Sequence, residues 1–251
     1  MQRFQEFAAP APLAAHVHAL WEFDAGDTPP PVHHVPPDGC VSLVVAPTPA
    51  GVQVTLVGPR ATSVAVPLAT GVRYRGLRMR PEAAGLLIDL APRDWLERVG
   101  PLESADAELA RASAGCTVAD VFDRLLAALT LRAGSAAAPD VLVATALEAM
   151  DAGVLRTDAL AARLGVSART LQRRFAGATG LSPKAFMRIR RFRMAAANML
   201  SSAPAPWGRV AMEHGYADQA HLARDFAAIA GAAPTALAAR LGDIRHVDVK
   251  P

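Results

Sequence analysis

The sequence predicts an α+β protein, a β-rich N-terminal part joined to an all-helical C-terminal part. Three observations predict it. Up to Arg80 the chain holds short β-branched runs separated by Pro and Gly. Beyond Pro81, apolar residues recur at helical spacing instead. Charge is also divided: residues 157–240 hold 12 Lys and Arg against 4 Asp and Glu, leaving 14 against 19 in the rest of the 251-residue chain. A basic module joined to an acidic one points to an anionic partner, and nucleic acid is the commonest large anion.

Composition bounds the class. Hydrophobic residues make up 52% and charged residues 20%, a globular balance that excludes disorder. The length suits one or two domains. No uncharged apolar stretch reaches the roughly 18 residues a membrane span needs. The N-terminus lacks the apolar region of a signal peptide, so a cytoplasmic protein is expected. Two cysteines, Cys40 and Cys116, supply neither a disulfide framework nor a four-thiolate zinc site.

The elements follow in order. Trp21 and Phe23 sit on an early strand; further strands are read over 41–45, 52–57, 62–66 and 72–80, with Gly76 a candidate bulge. Several short strands at this spacing predict a small barrel or sandwich. Residues 82–90 and 93–99 read as short helices. Val118, Val121, Phe122, Leu125, Leu126 and Leu129 give a longer helix capped by Thr117. Its stripe either packs against a second copy, making a homodimer, or covers the sheet. The small-residue segment 133–139 is read as a linker. The predicted organisation is therefore a β-rich domain at 1–132, a helical domain at 140–242 and a frayed tail at 243–251.

Residues 157–177 read TDALAARLGVSARTLQRRFAG. Thr157 can cap a helix with Leu160, Ala161 and Leu164 inward, Gly165 makes a left-handed turn, and Ser167 caps the next helix. Leu171 and Phe175 face in, leaving Ala168, Arg169, Gln172 and Arg173 outward. A second unit recurs at 207–226, WGRVAMEHGYADQAHLARDF. There Gly215 turns, Asp218 caps, Leu222 and Phe226 face in, and Gln219, Ala220, Ala223 and Arg224 face out. Ser182-Pro183 opens a joining helix with Phe186, Ile189 and Phe192 inward and Lys184, Arg188 and Arg191 on polar sides. Each unit has the geometry that places a second helix in the DNA major groove. Arg pairs with guanine and Gln with adenine, so Arg169, Gln172, Arg173 and Gln219 are candidate base readers. Ser167, Lys184, Arg188, Arg191 and Arg224 are candidate phosphate contacts. The competing reading is a pair of solvated faces that happen to carry arginines.

The run LAARLGVSARTLQRRFAGATGLSPKAFMRIRRFRMA, followed by VAMEHGYADQAHLARDF, resembles the DNA-binding domain of AraC/XylS-type transcription regulators over residues 140–241. The resemblance implies a sequence-specific, non-enzymatic regulator of double-stranded DNA, with RNA polymerase and a homodimer partner in view. It also implies that the β-rich domain at 1–132 is effector-binding or dimerising, an N-terminal cupin-like β-barrel that senses a small-molecule effector. Ala220 and Ala223 depart from the pattern, standing where longer polar side chains would read bases.

The N-terminal half offers fewer candidates. His16, His18 and Glu22 match HxHxxxE, a metal-ligand spacing. They would support an alternative, a cupin-type metalloenzyme fused to a DNA-binding domain. No second motif completes the site, so no cofactor is expected. His33-His34 lies in a proline-rich loop. Arg73, Arg75, Arg78 and Arg80 form a basic strand, which either holds an anionic effector or pairs with acids such as Glu82 or Asp89. Trp21, Tyr74 and Arg73 are candidate effector contacts, against plain packing. A third reading gives the N-terminal half protein contacts only.

Overall fold

A computed structural model describes residues 2–29, 32–199, 205–242 and 244–247. The N-terminal part contains strands β1 (Gln2–Phe7), β2 (Val17–Asp24), β3 (Val32–Val35), β4 (Ser42–Thr48), β5 (Gly51–Val57), β6 (Val64–Pro67), β7 (Arg73–Met79) and β8 (Val99–Pro101). Helices α1 (Ala84–Leu87), α2 (Ala107–Ala112) and α3 (Val118–Ala133) complete it. The C-terminal part is α4 (Val141–Asp151), α5 (Thr157–Arg163), α6 (Ala168–Thr179), α7 (Pro183–Met199), α8 (Trp207–Glu213), α9 (Gln219–Ala230) and α10 (Pro234–Gly242), followed by strand β9 (Ile244–Val247).

The α+β division is therefore observed, but the expected barrel does not close. Among the described residues the main sheet runs β8-β5-β4-β7-β2-β1-β9, and β8 and β9 stay as its edges. Strands β3 and β6 pair separately. The proline-rich segment around His33-His34 thus forms a strand rather than a loop, and its His33 ring stacks on Phe23 at 5.1 Å. Gly76 is not a bulge. It lies opposite Trp21, whose indole occupies the space a Cβ would need, and the register shift falls between Val17 and Ala19. The 82–90 and 93–99 helices shrink to α1 and a 3₁₀ turn at Pro92–Trp95, with β8 following.

One face of the sheet builds the N-terminal core. Leu43, Val45, Leu56 and Leu77 meet Val121, Phe122, Leu125 and Leu129 of α3. Thr117 caps α3 as expected, accepting from Asp120 N at 3.1 Å. Leu125 and Leu129 have no exposed surface, so the α3 stripe covers the sheet, and the dimer reading of that stripe is set aside. The buried Asp106 carboxylate takes the Arg132 guanidinium and caps α2. Burial alone would raise its pKa, but hydrogen bonds from Arg132, Asp89 N and Leu109 N hold it below the ordinary value.

Of the expected frayed tail at 243–251, residues 244–247 form a strand instead, and 243 and 248–251 lie outside the described residues. Residues 244–247 pair in parallel with β1, Gln2 opposite Ile244 and Gln5 opposite Val247. Four residues carry too short an alternation to announce a strand; the open edge of β1 supplies the missing partner.

Because α3 is a core element, Leu125→Asp should place an unpaired charge in the sheet core. A loss of folding stability of about 3 kcal/mol or more is expected in urea denaturation. A folded variant of wild-type stability that merely changes sedimentation would restore the dimer interface.

Candidate nucleic-acid interface

The first unit is α5, a turn and α6. Helix α5 buries Leu160 and Ala161 against Ala146 and Met150 of α4. It starts at Thr157 with Arg156 at the cap position and no side-chain cap bond, one residue earlier than expected. Gly165 has φ +65°, the left-handed backbone the turn requires. The Ser167 hydroxyl accepts from Thr170 N at 3.1 Å and starts α6. Leu171 and Phe175 are buried, and Phe175 meets Phe186 edge-to-face at 5.5 Å.

The second unit repeats the plan. Helix α8 buries Val210 and Ala211, Gly215 has φ +71°, and Asp218 accepts from His221 N at 2.6 Å to cap α9. Leu222, Phe226 and Ile229 are buried, with Phe226 4.8 Å from Phe192 of α7. Ala185 N donates to Ser182 Oγ at the start of α7, as expected.

The outward faces come out as the helical period requires. Arg169, Gln172 and Arg173 on α6 are exposed and have no side-chain partner among the described residues. Gln219 and Arg224 on α9 and Lys184 on α7 share that condition. The neighbouring arginines are instead committed. Arg174 forks onto Asp140, the cap of α4, at 2.8 and 2.5 Å, and Arg190 pairs with Asp151 at 3.0 Å.

Arg188 and Arg191 are placed differently from expectation. Both reach Asp225, at 2.5 and 3.3 Å, and Arg191 also lies 4.4 Å over the Tyr216 ring. Asp225 is 6% exposed. Its carboxylate joins the burial of Tyr216 in pushing that hydroxyl up to about 12, so the phenol stays neutral. These arginines therefore fasten α7 to α9. Asp225 escaped the sequence reading, although an acid on the inward stripe of a helix, after a helix rich in arginine, is the signal that would have found it.

The N-terminal candidates do not converge. His16 is buried ahead of β2, His18 is exposed, and Glu22 is held by Arg75 at 2.6 Å. No group of three His, Cys, Asp or Glu suited to a metal occurs among the described residues. The basic strand is paired with acids other than those expected: Arg73 with Asp24, Arg75 with Glu22, and Arg78 with Asp38 and Glu6. Tyr74 packs on Phe23. Of the three effector candidates Trp21 alone lines a shallow hollow of about 260 Å³, with Phe7, Leu20, Glu22, Arg75, Phe122 and Asp123. Cys40 is buried, which raises its thiol pKa and leaves it unreactive.

Two capped, cationic helix-turn-helix units sharing one rigid helix have the geometry of a DNA-binding domain. A family described as a helix-turn-helix domain matches residues 160–240, and a domain of unknown function (DUF6597) matches residues 5–101. Residues 160–240 are an AraC-type helix-turn-helix domain. Among solved structures, the chain is similar to the C-terminal domain of AraT, a response regulator from Geobacillus stearothermophilus. That match has 22% identity over 43% of this chain and 88% of that one, at a TM-score of 0.38. ToxT from Vibrio cholerae O395 matches at 9% identity over 96% and 97% of the two chains, at a TM-score of 0.43. Unsaturated fatty acid-bound ToxT from strain SCE256 matches at 11% identity over 87% and 88%, at 0.42. No curated protein matches the chain. No helix among the described residues is long and apolar enough to cross a membrane.

Removing the Asp225 carboxylate would leave two guanidinium groups without their acceptor. Asp225→Ala should cost about 1–3 kcal/mol of stability, with Asp225→Asn milder. Denaturant unfolding measures both, and wild-type stability in the alanine variant would show the cluster to be ornamental.

Proposed function

We propose that this regulator reads its operator mainly with the first unit, through Arg169, Gln172 and Arg173. The carrying observation is that these three polar groups are exposed and unpartnered among the described residues, while the neighbouring Arg174 and Arg190 are held by Asp140 and Asp151. Unsatisfied planar donors on the outer face of a capped helix suit base edges in the major groove. Gln219 adds a lesser contribution from the second unit, because the exposed Ala220 and half-buried Ala223 offer no hydrogen bond. Ser167, Lys184 and Arg224 grip phosphates, and Arg188 and Arg191 act by holding α9. The chain works by binding, without catalysis. A small effector would act through the N-terminal domain, where the hollow beside Trp21 and the Glu22–Arg75 pair is the place that fits one. The domains divide in the segment between α3 and α4.

Arg173→Ala should weaken binding to the selected operator by about 1–3 kcal/mol and relax one base position. An operator selection that returns an unchanged base preference would remove Arg173 from the readers. Lys184→Ala should weaken specific and non-specific duplexes alike and lower the salt slope by about one. A defect limited to the specific duplex would make Lys184 a base contact instead.

A further inference from the structure

One short segment of the N-terminal domain touches both helix-turn-helix units. Pro59 is buried and packs on Gly180, the residue that ends α6; a Cβ at Gly180 would lie 3.0 Å from Pro59 Cγ and 2.8 Å from the Pro92 carbonyl. Ala61 packs into the core of the first unit. Two residues on, Ser63 N donates to Ile229 O at 2.7 Å. That carbonyl lies in the last turn of α9, where no intrahelical partner exists. The C-terminal ends of α6 and α9 are therefore joined through residues 59–63, leaving their N-terminal, outward faces free.

The segment has few means of holding itself. Arg60 is its only long side chain, and no regular structure spans it. Its conformation is imposed by Glu97, the sole non-glycine residue with positive φ among the described residues, at +58°. One Glu97 carboxylate oxygen accepts from Ala61 N at 2.6 Å, and the other from Thr62 Oγ1 and Arg60 Nη2, both at 2.9 Å. Arg60 Nη1 also donates to the Glu97 carbonyl at 2.8 Å, and Glu97 N to Pro59 O at 3.0 Å. An uncommon backbone conformation persists where its surroundings fix it, and here it aims one carboxylate at three consecutive residues.

We propose that Glu97 is a positioning residue for DNA binding: by fixing residues 59–63 it sets the relative placement of the two recognition helices. The inference rests on the DNA-binding reading above. It makes a residue outside the helix-turn-helix domain a determinant of the spacing the two units can span. Loss of the carboxylate frees the segment, and the arrangement that fits both grooves becomes one of several. Affinity then falls by the fraction of molecules that retain it, about tenfold if a tenth do.

The test uses the full chain with Cys116→Ser and nitroxide labels at Arg163→Cys on α5 and Met212→Cys on α8, both exposed positions. Pulsed electron paramagnetic resonance should give one narrow distance between the units in the parent. Glu97→Ala should broaden or split it, and Glu97→Gln, which can still bond Ala61 N and Thr62, should restore it. In duplex selections Glu97→Ala should accept more than one spacing between the two half-elements, with about tenfold weaker binding to the parent's preferred duplex. A narrow, unshifted distance in folded Glu97→Ala would overturn the proposal. If that variant does not fold, Ser63→Pro, which removes the donor to Ile229 and leaves the Glu97 carboxylate in place, decides: the same broadening supports the brace, and an unchanged distance refutes it. A parent chain that selects no duplex while its labels respond to Glu97→Ala would overturn the DNA-binding reading and the positioning role built on it, leaving Glu97 a structural brace.

Discussion

Helix α7 has to satisfy two cores with one apolar stripe. Phe186 and Ile189 belong to the first unit, Phe192 and Ala196 to the second. A helix of this length spans about 25 Å and bends little, so the two units cannot pack independently of each other. Everything outward-facing inherits this constraint. The direction in which Arg169 points relative to Arg224 is limited by buried phenylalanines, and within that limit the ion pairs around Asp225 and the contacts of residues 59–63 select the arrangement.

The electrostatics then divide the arginines by task. A surface ion pair contributes little to stability, but it does decide which cations remain for a polyanion. Arg174, Arg190, Arg188 and Arg191 are each held by an acid of the same domain. Arg169, Arg173, Lys184 and Arg224 are left available. The excess charge of the C-terminal part is thus concentrated on particular helix faces instead of being spread over the domain.

Much of this was readable in the residues. Caps at Thr117, Ser167, Ser182 and Asp218, turns at Gly165 and Gly215, and the inward stripes all follow from local rules, since each acts within four residues. What escaped the sequence depends on distant partners. Val32–Val35 looks like a loop until Val64–Pro67 is laid beside it, and Trp21 explains Gly76 only across the sheet. The α3 stripe has the same period whether it meets a sheet or another helix, so periodicity could not choose between them. Glu97 carries no sequence signal, because its role is made by the backbone it sits in.

The pairing of β9 with β1 has a consequence for how the protein comes into being. Strand β1 leaves the ribosome long before β9, the strand that covers its outer edge, because the whole helical domain lies between them. Closing so long a loop is entropically slow relative to forming hairpins and helical turns. During synthesis the nascent sheet therefore exposes an unpaired edge for as long as it takes to make the entire helical domain, the period in which a strand is most open to adding a foreign neighbour. Completion of the DNA-binding half and protection of the N-terminal sheet are in this way a single late event.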